Sequence, residues 1–154
     1  MNIHNKILIV IQLDKKMRPL RSFQKMPVPP KGWVHLIRKT LNMSLRQLGA
    51  RLQMTPQGMK DIERREMEGT ITLKALKEVG NTLDMQLVYG FIPKSDSLEK
   101  MIERKALDMA NKIVKRTSTI LKLEDQENSE EGIKQAIIEM TEELKREIPK
   151  SLWD

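Results

Sequence analysis

The sequence predicts a mainly α-helical chain: a four-helix bundle, then a short β-strand, then two C-terminal amphipathic helices. Apolar residues recur at helical spacing between residues 33 and 83, and again over 98–120 and 133–148. Ser44, Thr55 and Thr72 stand just before such stripes, where a side-chain oxygen can cap a helix. The stretch Met85-Gln-Leu-Val-Tyr-Gly-Phe-Ile-Pro93 behaves differently, alternating Leu87, Tyr89 and Phe91 among β-formers before a proline. At 154 residues and 39% hydrophobic content, the chain has the material of one ordinary domain. A large enzyme scaffold is excluded.

Residues 1–30 read as a basic N-terminal arm, with six cationic groups against Asp14. Within it, Ile3 to Leu13 contains the run ILIVIQL, which is too short and interrupted to span a bilayer, and no small-residue cleavage site follows. A helix with Ile3, Ile7, Val10 and Ile11 on one side and a short strand both fit this run. The absence of cysteine excludes a disulfide framework and a zinc finger, and points to a reducing, cytoplasmic setting. Lys25-Met-Pro-Val-Pro-Pro-Lys-Gly32 then holds the backbone extended, so a compact unit is expected from about Gly32.

From Trp33 to Leu41, positions 33, 34, 36, 37 and 41 trace a helical face that leaves Arg38 and Lys39 outside. Trp33 is expected in the core or at a seam. Ser44 caps a second helix with Leu45, Leu48 and Leu52 inward. Thr55 caps a third, with Pro56 at the favoured first position and Met59 and Ile62 inward. Two short helices joined this tightly are the signature of a helix-turn-helix. Thr72 opens a fourth helix with Leu73, Leu76, Val79 and Leu83 inward. The strand over 85–93 needs a partner, either the ILIVI run or its own copy. Beyond it, Ser95 or Ser97 caps a long helix from near Leu98, residues 121–129 form a polar, acidic break, and a last helix carries Ile133, Ile137, Met140, Leu144 and Ile148 up to Pro149. Three regions result: the arm at 1–30, a helix-turn-helix domain with its strand at 31–93, and a helical interaction or dimerisation region at 94–154.

Charge is unevenly spread along these regions. The whole chain carries +7, residues 31–80 carry +5, and residues 123–154 carry −6. A polyanionic partner is the first expectation for the basic part. In a helix-turn-helix the second helix of the pair enters the major groove. Its outward residues here are Gln57, Lys60, Asp61 and Arg64, with Pro56 and Gly58 allowing close approach. Gln57 suits adenine, Lys60 or Arg64 suits guanine, and Asp61 suits the cytosine amino group. Ser44, Arg46, Gln47 and Arg51, with Arg38 and Lys39, are expected at the phosphates beside the groove. Lys15, Lys16, Arg18 and Arg21 can extend that contact. The glycines are not grouped into a phosphate-binding loop, and the two histidines lie far apart. Glu63, Glu66 and Glu68 lie among Arg64 and Arg65 and read as ion pairs, with Glu63 bridging inside the unit. No catalytic residue, cofactor or metal is assigned, and the expectation is a protein that is not an enzyme.

The segment from Ser44 to Glu63 resembles the phage-repressor-like (XRE/Cro-type) helix-turn-helix family, through Leu48, Leu52, Met54, Thr55, Met59, Ile62 and Glu63. It departs at Leu45, where many members carry a phosphate-contacting glutamine, at Gly49, usually alanine, and at Gln53, usually the turn glycine. A more specific resemblance rests on Pro30-Lys-Gly-Trp33, Ile37-Arg38, Met43-Ser-Leu-Arg-Gln-Leu48, Glu63-Arg-Arg-Glu66, Gly69-Thr-Ile-Thr-Leu73, Leu87-Val-Tyr89 and Leu123-Glu-Asp-Gln126. In this order they look like the family called mobile mystery protein A, small regulators encoded beside a Fic-domain protein on mobile elements. The resemblance implies a dimeric, sequence-specific repressor of double-stranded DNA, autoregulating an operon shared with a Fic-type gene. The alternative is an antitoxin or interaction module that binds a Fic-type partner through the C-terminal helices. The inhibitory Fic motif has no Ser or Thr at the required place before Glu127 or Glu131. Inhibition would then use the 98–120 or 133–148 faces.

Overall fold

The computed structural model describes residues 3–123 and 129–154. Among them the chain forms seven α-helices and two short 3-10 helices, with no β-strand. They fall into two compact units, one running Lys25–Gly90 and one built from Met1–Gln24 together with Phe91–Asp154.

The central unit holds α2 (Trp33–Thr40), α3 (Leu45–Arg51), α4 (Pro56–Glu68) and α5 (Leu73–Thr82). Its buried core is Val34, Leu48, Met59, Ile62 and Val79, bordered by Met43, Leu45, Leu52, Ile71, Leu76 and Leu83. Leu73, expected inward, is exposed, as are Trp33, Leu36 and Leu41. Helix starts follow from the expected side chains. Ser44 Oγ accepts from Gln47 N at 3.1 Å while Gln47 Oε1 accepts from Ser44 N at 2.8 Å, a reciprocal capping box. Thr55 accepts from Gly58 N and Thr72 from Ala75 N. The start of α2 is capped from a distance: Trp33 N and Val34 N donate to the Glu66 carboxylate at 2.7 and 3.0 Å. Gly32, at φ 87°, makes room for it, because a Cβ there would lie 2.9 Å from Glu66 Cδ.

All four helices of this unit end alike. A left-handed residue follows each, Asn42, Gln53, Gly69 and Asp84 at φ 53°, 56°, 77° and 57°. The next N–H then returns to a carbonyl five residues back, Met43 to Arg38, Met54 to Gly49, Thr70 to Arg65 and Met85 to Gly80, at 2.8–3.0 Å.

The strand expected over 85–93 is not there. From Met85 to Pro93 the backbone runs without helix, turn or bend, and no ladder forms. Alternation and β-formers give only a preference, whereas a strand needs a neighbour's backbone groups. One expected partner, the ILIVI run, is spent in a helix. Side chains hold the segment instead: Leu87 is half-buried in a groove with Val79, Gly80 and Leu83, and Lys77 Nζ sits 5.7 Å from the Tyr89 ring centre. Val88, Tyr89 and Phe91 remain exposed.

The second unit joins α1 (Ile3–Met17) to α6 (Leu98–Leu123) and α7 (Glu130–Glu147), with 3-10 helices at Arg18–Lys25 and Lys150–Trp153. Its core is Ile102, Ala106 and Leu152, with Val10, Met109, Leu144 and Ile148 against it. Asp14 ties α1 to the start of α6 by accepting from Leu98 N at 2.8 Å and Glu99 N at 3.2 Å, beside the Ser97 cap on Lys100 N. Lys6 Nζ donates to the Glu147 carbonyl at the end of α7. The break expected over 121–129 is narrower: 121–123 continue α6 and Ser129 caps α7, while 124–128, and with them most of the Leu123–Gln126 segment of the resemblance, lie outside the described residues. No described helix is long and apolar enough to cross a membrane.

Candidate nucleic-acid interface

The region around the α3–α4 turn brings most of the sequence-selected residues together. Leu52–Thr55 connects the helices, with Gln53 left-handed and Met54 N bonded to the Gly49 carbonyl. A Cβ on Gly49 would meet Met54 O at 2.9 Å, so glycine is what lets the turn close onto α3. The tightness of that turn sets α4 against α3.

On the outer side of α4, Gln57, Lys60 and Arg64 are exposed and Asp61 is half-exposed. They are not equivalent. Arg64 lies between two carboxylates of its own helix, bonding Asp61 through Nη2 and Glu68 through Nη1 at 2.8 Å. Arg65 Nε lies 3.1 Å from the other Asp61 oxygen. The hydrogen bond from Arg64 is the largest cause holding the Asp61 carboxyl below the usual aspartate range, and the same bond raises Arg64. One Asp61 oxygen is therefore engaged by Arg64, while the other faces Arg65 without a hydrogen bond. Among the described residues, Gln57 and Lys60 have no side-chain partner. Pro56 and Gly58 form the first turn, where Gly58 N is taken up by the Thr55 cap.

Of the residues expected at phosphates, Lys39, Arg46 and Arg51 are exposed without an ion pair among the described residues. Ser44 and Gln47 are exposed but hold each other in the capping box, which leaves the Gln47 amide NH2 to donate outward. Arg38 lines the groove beside Gln57 and Lys60 but is largely buried. It is 7% exposed and binds both Glu63 oxygens through Nε and Nη2, and the Met43 carbonyl through Nη1 at 2.9 Å. His35 Nδ1 adds a contact to Glu63 Oε2 at 3.0 Å. The internal bridge expected for Glu63 thus takes Arg38 off the surface and locks α2 to α4. Burial pushes the Glu63 carboxyl up, but the Arg38 and His35 hydrogen bonds outweigh it and hold the group below its ordinary value.

The sequence reading missed Lys31 and His35. Both line a groove of about 390 Å³ together with Leu45, Gln57, Lys60 and Arg64. Lys31 closes the proline run and His35 stands one turn before Arg38, and neither spacing marks them in sequence. Lys15, Lys16 and Arg18 are exposed and Arg21 is half-buried, all in the unit that contains α1.

Compared with protein-family models, curated proteins and solved structures, the chain matches none. The chemistry of the site itself is that of a donor-rich ledge. Lys60 and the amide of Gln57 stand exposed on α4 and Arg46 and Arg51 on α3, helices fixed by caps at their starts and by left-handed turns at their ends.

Proposed function

We propose that the chain is a sequence-specific, double-stranded-DNA-binding transcriptional regulator that lays α4 in the major groove. The observation that carries this reading is the pairing of Gln57 and Lys60, exposed and without intramolecular partners on α4, with Arg46 and Arg51, exposed on α3 across a closed turn. Gln57 can bond adenine N6 and N7, and Lys60 guanine O6 and N7. Arg46, Arg51, Lys39 and the Gln47 amide would meet the flanking phosphates. Arg64 reads a base only after leaving Asp61 or Glu68. One such helix covers few base pairs, so two copies on a pseudo-palindrome are expected. The resemblance to mobile mystery protein A makes the chain's own upstream region, beside a Fic-type gene, the place to look.

Titrating the protein onto a fluorescent fragment of that region, with salt and excess unrelated DNA, tests the reading. Tight binding that survives competitor is the expected outcome, with log affinity falling linearly against log salt. Lys60→Glu should abolish discrimination between the fragment and unrelated DNA. Discrimination retained by that variant would count against α4 as the reading helix.

A further inference from the structure

Among the described residues, α1 covers the hairpin of α6 and α7 at one end. The contacts of α1 fall on 98–109 of α6 and 144–148 of α7, through Asp14, Lys6, Ile7 and Val10. Beyond Met109, α6 buries Ala110, Val114 and Ser118, at i, i+4 and i+8. The next stripe of α6 continues from Met109 to Ile113 and Ile120 at spacings of four and seven, and these two isoleucines stay 36% and 50% exposed. On α7, Ile138 is 57% exposed. Two helices alone have no third layer to bury such stripes.

Charge is segregated over the same stretch. Lys112, Lys115 and Arg116 stand exposed on α6, whereas on α7 Glu131, Glu139, Glu142 and Glu143 stand exposed with Lys134 the one cation among them. Among the described residues no ion pair joins α6 to α7; the bridges of these helices, Lys100–Glu103 and Lys145–Glu142, stay within one helix.

We propose that the open half of this hairpin is an interface with a second copy of the chain, α6 of each copy lying antiparallel along α7 of the other. A nucleic acid would be drawn to α6 but repelled by α7, and an acidic protein would leave the α7 carboxylates unmatched. A second copy related by a two-fold axis satisfies both helices at once, because each basic α6 meets an acidic α7 twice over. Packing α6 on α6 would instead face like charges. The paired copies invoked for operator binding need such a surface, and to that extent the inference deepens that reading. Its primary readout is mass without DNA, with DNA binding read only for the charge-reversal variants, so the two fail separately.

Sedimentation of the full chain without DNA is the measurement, over about 1–100 micromolar protein. A dimer is expected whose dissociation constant rises at least severalfold between low and high salt. Ile113→Asp with Ile120→Asp should give monomers that keep the helical circular dichroism of the wild type, with a melting temperature that no longer rises with protein concentration. Lys112→Glu with Arg116→Glu should weaken the dimer about tenfold or more, and adding Glu131→Lys with Glu139→Lys in the same chain should restore it. Monomeric mass throughout overturns the proposal. So does a dimer that ignores salt and these substitutions, or α6 reversals that leave the mass unchanged while weakening DNA binding, which would assign the face to nucleic acid.

Discussion

Glu63 shows how one carboxylate can decide which cations a surface presents. By holding Arg38 in the interior it leaves Lys39, Arg46 and Arg51 as the exposed cations of α2 and α3. Glu63→Ala strands a buried guanidinium and should cost about 3 kcal/mol or more by chemical denaturation. The folded carboxyl titrates below its ordinary value, so its contribution is complete above about 4.5, the unfolded value, and drains as pH falls toward the folded one. Melting temperature should therefore fall more steeply below pH 4.5 in the wild type than in Glu63→Gln. Gln53 offers a change of opposite sign. It holds a left-handed backbone at φ 56°, and Gln53→Gly should raise stability by about 0.5–1 kcal/mol. Gly49→Ala should lower it, because the added methyl meets Met54 O. The family resemblance marks Gly49 and Gln53 as departures, but only the turn geometry shows that the glycine at 49 is required and the one absent at 53 is missed.

Within the central unit, the starts of α3, α4 and α5 were legible and the ends of α2, α3 and α5 were not. Ser44, Thr55 and Thr72 are the residues a cap requires, and each makes the bond expected of it. The endings rely on the same left-handed turn, yet Asn42, Gln53 and Asp84 carry no glycine to announce it. The segment 85–93 was misread for a related reason: composition reports what a backbone prefers, while a strand depends on a partner elsewhere. The candidate site divides along the same line. Spacing chose Gln57, Lys60 and Arg64 together, but it cannot tell that Arg64 is clasped by Asp61 and Glu68 while the others stand alone. On the DNA reading, Asp61→Ala with Glu68→Ala should release Arg64 and tighten binding to the fragment. Arg51→Ala should weaken binding to all sequences alike and reduce the slope of log affinity against log salt by about one.

Across the whole molecule, the two-unit division is the feature that periodicity could not reveal. A stripe such as Ile7, Val10 and Ile11 states that a helix has a face to bury, without naming what covers it; here α6 and α7 do, from the far side of the central unit in sequence. Asp14 is the residue that fixes this pairing. Asp14→Ala should cost about 0.5–2 kcal/mol and speed amide exchange in α1 and the first turn of α6, leaving Lys25–Gly90 unchanged. Equal loosening of both units would show that they unfold as one.

The split unit also sets an order of assembly during synthesis. The central unit is contiguous and can close once Gly90 has emerged, whereas α1 must wait for residues 98–148. At about 5–20 residues per second that wait is on the order of ten seconds, with a basic helix showing Ile7, Leu8, Ile9 and Val10 to whatever is near. A shortened chain ending before α6 never leaves that state. Deleting 95–154 therefore removes two helices and also strips a third of its cover, so a truncated protein that aggregates reports on α1 rather than on the activity of the part removed.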